Sequence, residues 1–548
     1  MTLHPNGIPA VPEETARVAR AAFRKGNGYM AMRDALGTLY DDQDFGDLFP
    51  KVGQSALSPW RLALVCVMQF AENLTDRQAA DAVRGRIDWK YALSLELTDT
   101  GFDFSVLSEF RDRLLKGGAE ARLLDMMLTT FKARGWLKAG GRQRTDATHV
   151  IAAVHTLNRL ELVAAVLQDA LEEVAVAAPN WLRVRVPADW FVRYAKKLDD
   201  YRLPTKRADR EAIIVQIGQD GQMLWQWLEA SDAPAGLSQL PAVLNLRHVW
   251  SQQYDLSGLM PRWRDRDELP PSAEREASPH DTEARFRLKR ELSWVGYQVH
   301  LTETCDDDTP HLIVQVETTP ATESEFAALP KIHHDLKTHD LLPAEQFVDG
   351  GYSSSDLLVN TQTNFGIDLV CPARPDPSWQ GRTPGAFAIE TFDIDWQAEQ
   401  VRCPMGATNL SWKAGPAPKS PHKTVFTVRF RKADCTPCPV RDHCTHGPAP
   451  RTLVLLPEPE FVALKQSRER EKSPDFPTRY ARRAGIEGTI SQTVQRADAR
   501  HARYIGLAKT HLQQILTASA INLVRAVNWL NGIPRAKTRR SHFARLAA

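Results

Sequence analysis

The chain has 548 residues, 43% of them hydrophobic and 25% charged, with 69 Lys and Arg against 67 Asp and Glu. This composition excludes disordered and fibrous chains, and the length exceeds what one hydrophobic core sustains, so several domains or one heavily inserted domain is expected. No stretch nears the roughly 20 uninterrupted apolar residues of a membrane span, and MTLHPNGIPAVPEE lacks the basic and apolar blocks of a secretory signal, so a cytoplasmic protein without membrane partners is expected.

Residues 1–135 read as a helical N-terminal domain. Ser58 and Pro59 open the apolar run WRLALVCVMQF, Thr75 and Gln78 have the spacing of a capping box, and a further helix starts near Ser105. Arg84, Arg86, Arg111 and Arg113 fall on the polar faces of these short helices. That suits a helix-turn-helix reader of DNA, with Arg84 and Arg86 as contacts; a helical cap packed on the next domain is the alternative.

After Gly140 and Gly141 the period changes. RTDATHVIAAV carries β-branched residues and reads as a strand with Asp146 near its start. Residues 155–278 are helical, then rich in Pro and charge, and read as an insertion. WVGYQVHLTET and HLIVQVETT, separated by the turn CDDDTP, form an antiparallel hairpin with Val295, Tyr297, Val299 and Leu301 on one face. Next come a helix through ESEFAALPKIHHDL, the short strand QFVDGGY ending on Asp349, a helix after the serines at 353–355, and the strand GIDLVCPAR. Strand, hairpin, helix, strand, helix, strand gives a mixed α/β sheet inside a catalytic domain spanning 136–530. A second insertion, 375–458, is rich in Pro, Gly and Cys and contains the strand-like KTVFTVRF and RTLVLLP. Helices return from FVALKQSRERE to VRAVNWL, and 531–548 reads as a basic flexible tail. Residues 479–548 hold thirteen Lys or Arg against two acids, Glu487 and Asp498, which suggests a polyanionic partner.

Three carboxylates stand out by their settings. Asp146 lies in an otherwise uncharged strand, where an acid is costly unless exposed or ligated. Asp349 ends a strand beside Gly350 and Gly351, which leave open space around it. Tyr480, Arg483 and Glu487 are spaced by three and four, on one helical face. Together Asp146, Asp349 and Glu487 are candidate ligands of two Mg²⁺ or Mn²⁺ ions in phosphodiester chemistry, hard oxygen donors for hard cations. Arg483 and Tyr480 are candidates for a nearby DNA phosphate.

Seven cysteines are an odd number for a disulfide framework. Cys403, Cys435, Cys438 and Cys444, spaced C-x31-C-x2-C-x5-C, suit tetrahedral Zn²⁺ or, alternatively, an iron–sulfur cluster. His443 or His446 is a candidate replacement for one thiol. A metal here would fold an insertion with little apolar content. Cys66, Cys305 and Cys371 read as ordinary buried or turn residues.

TDATH around Asp146, FVDGGYSS around Asp349 and the Y-x2-R-x3-E pattern of Tyr480, Arg483 and Glu487 resemble the three signatures of bacterial insertion-sequence DDE transposases. ALSPWRLALVCVMQFAENLTDRQAADAVRGRIDWKYALSL resembles the helical domain that precedes the catalytic domain in that family, and IGLAKTHLQQILTASAINLVRAVNWL its closing helices. The resemblance covers most of the chain outside 155–278. It implies an RNase H-like catalytic fold, Mg²⁺-dependent cleavage at terminal inverted repeats, and strand transfer into target DNA, in a bacterial, cytoplasmic, nucleoid-associated setting. Two DNA ends must be held at once, so a homodimer is the expected assembly. The family pattern often continues to a Lys seven residues beyond the Glu, but position 494 is Val, with Arg496 or Lys509 as candidate substitutes for the DNA-end contact. A transposase-derived DNA-binding protein without catalysis and a metal-dependent nuclease without strand transfer are the alternative functions.

Overall fold

The computed structural model describes residues 2–5, 7–154, 157–196, 206–418, 420–535 and 546. The expected basic tail falls largely on 536–545 and 547–548, outside the described residues. The chain opens with α1 (Glu13–Ala22), α2 (Gly28–Leu36), α3 (Pro59–Ala71), α4 (Asp76–Gly85), α5 (Ile87–Ala92), α6 (Ser105–Lys116) and α7 (Arg122–Ala133). Local signals set their starts. Asn27 accepts from the amides of Tyr29 and Met30 ahead of α2, and Thr75 and Gln78 close the expected capping box ahead of α4. Every residue of α3 except Arg61 is buried, as an all-round apolar helix requires.

β1 (Arg142–Ile151) follows, then α8 (Arg159–Ala177), α9 (Pro179–Arg185), α10 (Ala188–Tyr194), α11 (Arg207–Glu229), α12 (Pro241–Gln253) and the short ribbon β2 (Tyr254–Asp255) with β3 (Arg262–Trp263). This insertion has a core of its own around Val163, Leu167, Ile217, Val249 and Trp250. The chain then returns to the sheet with β4 (Arg285–Lys289), β5 (Leu292–Thr304), β6 (Ile313–Pro320), α13 (Glu325–Thr338), β7 (Glu345–Phe347), α14 (Ser355–Phe365) and β8 (Asp368–Val370). The strand order is β4-β5-β1-β7-β8, with β6 also on the outer edge of β5. β5 runs antiparallel to β1, placing Asp146 opposite Leu301, whereas β7 and β8 run parallel to β1.

The second insertion comprises α15 (Trp379–Arg382), β9 (Asp393–Asp395), β10 (Gln400–Arg402), β11 (Asn409–Ala417), β12 (Ser420–Phe430), α16 (Lys432–Cys435) and β13 (Thr452–Leu455), packed around Phe392, Val401, Val428, Phe430 and Leu455. The chain closes with α17 (Glu458–Glu471), α18 (Phe476–Tyr480), α19 (Gly485–Ala497) and α20 (Leu507–Leu530). The protein is thus a mixed α/β structure with a curled mixed sheet and many helices. No described helix is long and apolar enough to cross a membrane.

One continuous core joins the first helices, the sheet and α20 through residues such as Trp60, Val67, Phe110, Tyr297, Val299 and Leu516. Each such burial contributes about 1.5–3 kcal/mol. The period-2 pattern that turns Val295, Tyr297, Val299 and Leu301 into this core brings Glu303 to the same face with no exposure at all. Its Oε1 accepts from Arg144 Nε at 2.6 Å, and its Oε2 accepts from Arg525 Nη1 and Thr489 Oγ1, each at 2.6 Å. Burial alone raises the pKa of this carboxyl, but the Arg525 and Arg144 guanidiniums and the Thr489 hydrogen bond outweigh it and hold the group below the usual range. One carboxylate therefore ties β1, β5, α19 and α20 together. Arg144 also donates to the carbonyl of Arg482 at 2.7 Å, an approach open only because Gly485 has no Cβ: an added Cβ would meet the Arg144 guanidinium at 1.9 Å.

Four local expectations need correction. β1 starts at Arg142, so Asp146 shares its strand with Arg142 and Arg144 rather than lying in uncharged surroundings; pairing with β5 and β7 extends the strand into residues whose charge spoke against it. β7 stops at Phe347, and Asp349 instead caps a short 3-10 turn, because its side chain accepts the Gly351 amide. Tyr480, Arg483 and Glu487 do not share one α-helix: Tyr480 ends α18, Arg483 lies in a 3-10 turn and Glu487 begins α19. Arg111 is 5% exposed and bonded to both carboxylate oxygens of Asp76, so it does not lie on a polar DNA-facing surface; the half-buried Arg113 donates to the Leu48 carbonyl.

Replacing Glu303 by Ala leaves the buried Arg144 and the half-buried Arg525 without their carboxylate and is expected to cost about 3–5 kcal/mol of stability in denaturant unfolding; a loss under about 1 kcal/mol would show that the cluster does not hold these elements. A second expectation concerns His339, whose Nε2 stands 3.4 Å from Asp125 of α7. That partner raises its pKa from 6.5 to about 9. The stabilisation is complete below pH 6.5 and is lost as pH rises through about 9. Asp125→Asn should flatten this part of the stability–pH curve, measured by thermal unfolding.

Candidate active site

The sheet and the closing helices bring Asp146 and Glu487 to one guanidinium, with Asp349 near enough to act electrostatically on Asp146. Asp146 is held in the middle of β1, its Oδ1 accepting the Ala147 amide at 2.8 Å. Asp349 follows β7, the strand parallel to β1, and Glu487 lies in the first turn of α19. The guanidinium of Arg483 joins two of them, with Nη2 at 2.5 Å from Asp146 Oδ2 and Nη1 at 2.8 Å from Glu487 Oε1. Asp146 is largely withdrawn from solvent, whereas Glu487 is 64% exposed. Burial pushes the Asp146 carboxyl up to about 6; Arg483 and the Ala147 amide oppose the shift, and the charges of Asp349 and Glu487 add to it. Asp146 therefore feels both other acids although Glu487 lies 341 positions further along the chain.

The Asp349 loop is supported from below. Oδ1 of Asp349 accepts the Gly351 amide at 2.9 Å, and the fully buried Tyr352 hydroxyl pairs with His300 Nδ1 at 2.7 Å. Burial brings His300 down to about 4, so it is neutral at physiological pH. Tyr480 donates to the carbonyl of Val348 at 3.2 Å and stacks on Phe476, fixing the residue just before Asp349.

The other predicted DNA contacts have protein partners. Arg84 donates to the Thr100 carbonyl and pairs with Asp81, with its side chain 53% exposed. Arg86 pairs with Glu72 and Asp88. Arg496 donates to the Ala71 carbonyl at the end of α3, and Lys509 stands 3.7 Å from Asp112. Arg84, Arg86 and Arg496 are not gathered around the carboxylates.

Sequence reasoning missed the residues that hold the site. Glu303, Arg144, Thr489 and Arg525 were legible in part, since an acid at the end of an alternating apolar face demands a buried partner. Nothing in the sequence identified Arg144 and Arg525 as those partners. His300 and Tyr352 gave no signal, because their pairing joins β5 to the turn after β7. Glu325 at the start of α13, ion-paired with Lys289 at 2.7 Å and Arg287 at 3.4 Å, packs beside Gly351 and was also missed.

The three carboxylates offer the all-oxygen donor set that hard divalent ions take. Among the described residues no group of three or more His, Cys, Asp or Glu is already arranged to hold a metal ion. At the carboxylates, Arg483 supplies the positive charge. Cys66, Cys305 and Cys371 are buried as expected, and Cys403, Cys435, Cys438 and Cys444 line one cavity in the second insertion.

Residues 402–527 match the family model of a transposase DDE domain, and residues 19–113 match that of the transposase domain DUF772. The first match contains Tyr480, Arg483, Glu487 and the four clustered cysteines; Asp146 and Asp349 lie outside both. No curated protein and no solved structure matches the chain. The two matches, one towards each end, support an insertion-sequence DDE transposase, an enzyme whose substrate is DNA.

Proposed function

We propose that this protein cleaves DNA at insertion-sequence ends and joins the freed ends to target DNA, with Asp146, Asp349 and Glu487 as its catalytic carboxylates. The observation that carries the reading is the shared guanidinium: Asp146 from the central strand and Glu487 from a late helix bond to Arg483, while Asp349 acts electrostatically on Asp146. The mixed sheet is compatible with the expected RNase H-like fold: β5 beside β1 is antiparallel to it, β6 is antiparallel to β5, and β7 and β8 on the other side run parallel to β1.

Asp146, Asp349 and Glu487 would hold two Mg²⁺ or Mn²⁺ ions, which supply activation of the attacking oxygen and stabilisation of the leaving one. The donor set fits, and the poorly solvated Asp146 carboxyl gains a counter-charge from such an ion. Arg483 then exchanges a carboxylate for a DNA phosphate, to which its planar fork is suited. Tyr480 orients the Val348–Asp349 backbone through its hydrogen bond. Arg84 and Arg86 on α4 and after it, and Arg496 on α19, are proposed phosphate contacts further along the duplex. Joining requires two ends in one complex, so the working assembly is proposed to be a homodimer.

Two experiments test this. With Mg²⁺ and DNA carrying the element's ends, the wild-type protein should yield joined products, and Glu487→Gln should lose cleavage while still shifting the DNA; cleavage without joining would mark a nuclease, and binding without either a protein that has lost catalysis. In the absence of DNA, Arg483→Gln should bind Mn²⁺ more tightly than wild type in calorimetric titration, because no guanidinium competes for Asp146 and Glu487. Unchanged or weaker binding would remove the exchange role assigned to Arg483.

A further inference from the structure

Away from the carboxylates, the second insertion contains a cavity lined by Cys403, Cys435, Cys438 and Cys444. All four are unpaired and partly buried. Two tight turns present them. Cys403 ends the β9–β10 hairpin, where its amide donates to the Ala407 carbonyl and its carbonyl accepts from Gly406, both at 2.8 Å, with Gly406 at φ 87°. Cys435 and Cys438 bracket a turn in which the Cys438 amide donates to the Cys435 carbonyl at 3.4 Å, and Cys444 follows a short 3-10 turn. Thiols thus approach the cavity from two arms that are distant in sequence.

A second observation concerns charge. Arg451 lines the same cavity, donates from Nη1 to the Cys444 carbonyl at 3.2 Å, and lies over the Phe392 ring. Its Nε is buried without a hydrogen-bond partner. Burial pulls the half-buried guanidinium's pKa down, and the charges of Cys444 and Asp376 oppose that shift. Four neutral thiols add no further negative charge, but four thiolates around one divalent ion carry a net charge of about −2.

We propose that Cys403, Cys435, Cys438 and Cys444 bind one zinc ion as a tetrathiolate, with Arg451 as the counter-charge that completes the site. The thiols ring the cavity without yet closing on one point, so binding draws the two turns together. Each thiol releases its proton to solvent as its sulfur coordinates, and the ion is neither oxidised nor reduced. The metal would fasten the β9–β10 hairpin to the loop after α16, across a module whose own core is small. The inference is independent of the transposase reading, because it concerns a site remote from the carboxylates and is read by metal content rather than by activity.

The test uses the full-length protein purified without chelator. Elemental analysis should find one zinc per chain and no iron, and Cys435→Ser combined with Cys438→Ser should lose it. Should that variant misfold, the wild type still decides: exchange with Co²⁺ should give thiolate charge-transfer absorption and the d–d bands of a tetrahedral site. Arg451→Met should weaken zinc retention against a competing chelator by about 10- to 100-fold, as removal of a supporting partner does; unchanged retention would overturn the counter-charge role. Wild-type protein without zinc and without that Co²⁺ spectrum, iron with inorganic sulfide, or cysteines found as disulfides by intact mass would each overturn the proposal.

Discussion

The Glu303 carboxylate sets the frame on which the site is built. It is fully buried and bonded to groups from β1, α19 and α20 while belonging to β5. Such a cluster is a poor source of net stability compared with apolar packing, since desolvating three charges consumes much of their attraction. Its value is positional. Arg144 stands two residues before Asp146 on one face of β1, and Thr489 two residues after Glu487 on α19. A shift of α19 along the sheet by one turn would take the Thr489 hydroxyl away from Glu303 and Arg525, and Gly485 away from the Arg144 guanidinium that its lack of a Cβ admits, so the register of Glu487 against Asp146 is tied to these contacts.

Above that frame lies a second, more exposed charge arrangement. Asp146 is poorly solvated and flanked by two further acids, which leaves it in need of positive charge. In the protein alone, Arg483 meets that need and reaches Glu487 as well. The contrast between the two arginine clusters follows from burial: Arg144 is walled in, whereas the Arg483 pair opens towards the 64% exposed Glu487. The first cluster is closed to solvent, whereas the second borders it.

The two insertions leave the sheet intact because each brings its own interior. Residues from α8 to α12 bury Trp250 and their neighbours against one another, and the later module closes on Phe392, Val428 and Leu455. The second does so with fewer apolar groups and with the Arg451 guanidinium at its cavity, its buried Nε lacking a hydrogen-bond partner. A small core with such a charge is a natural place for a metal to contribute.

The sequence by itself determined much of this protein. Periodicity gave the helices, the β5–β6 hairpin and its buried face; glycine and proline marked the insertions; and the three acids were singled out by local settings that the fold then revised, with the family matches at 19–113 and 402–527 supporting a transposase. Local pattern could not say that β1 extends back to Arg142, that Tyr480, Arg483 and Glu487 lie on three consecutive segments, or that Arg111 turns inward to Asp76. Only the tertiary structure decided that Arg144, Glu303 and Arg525 meet, and that Arg483 stands between two acids. The reason is physical: periodicity records which face of an element is buried, whereas the choice of partner for a buried charge depends on which elements the fold brings within a few ångströms of it.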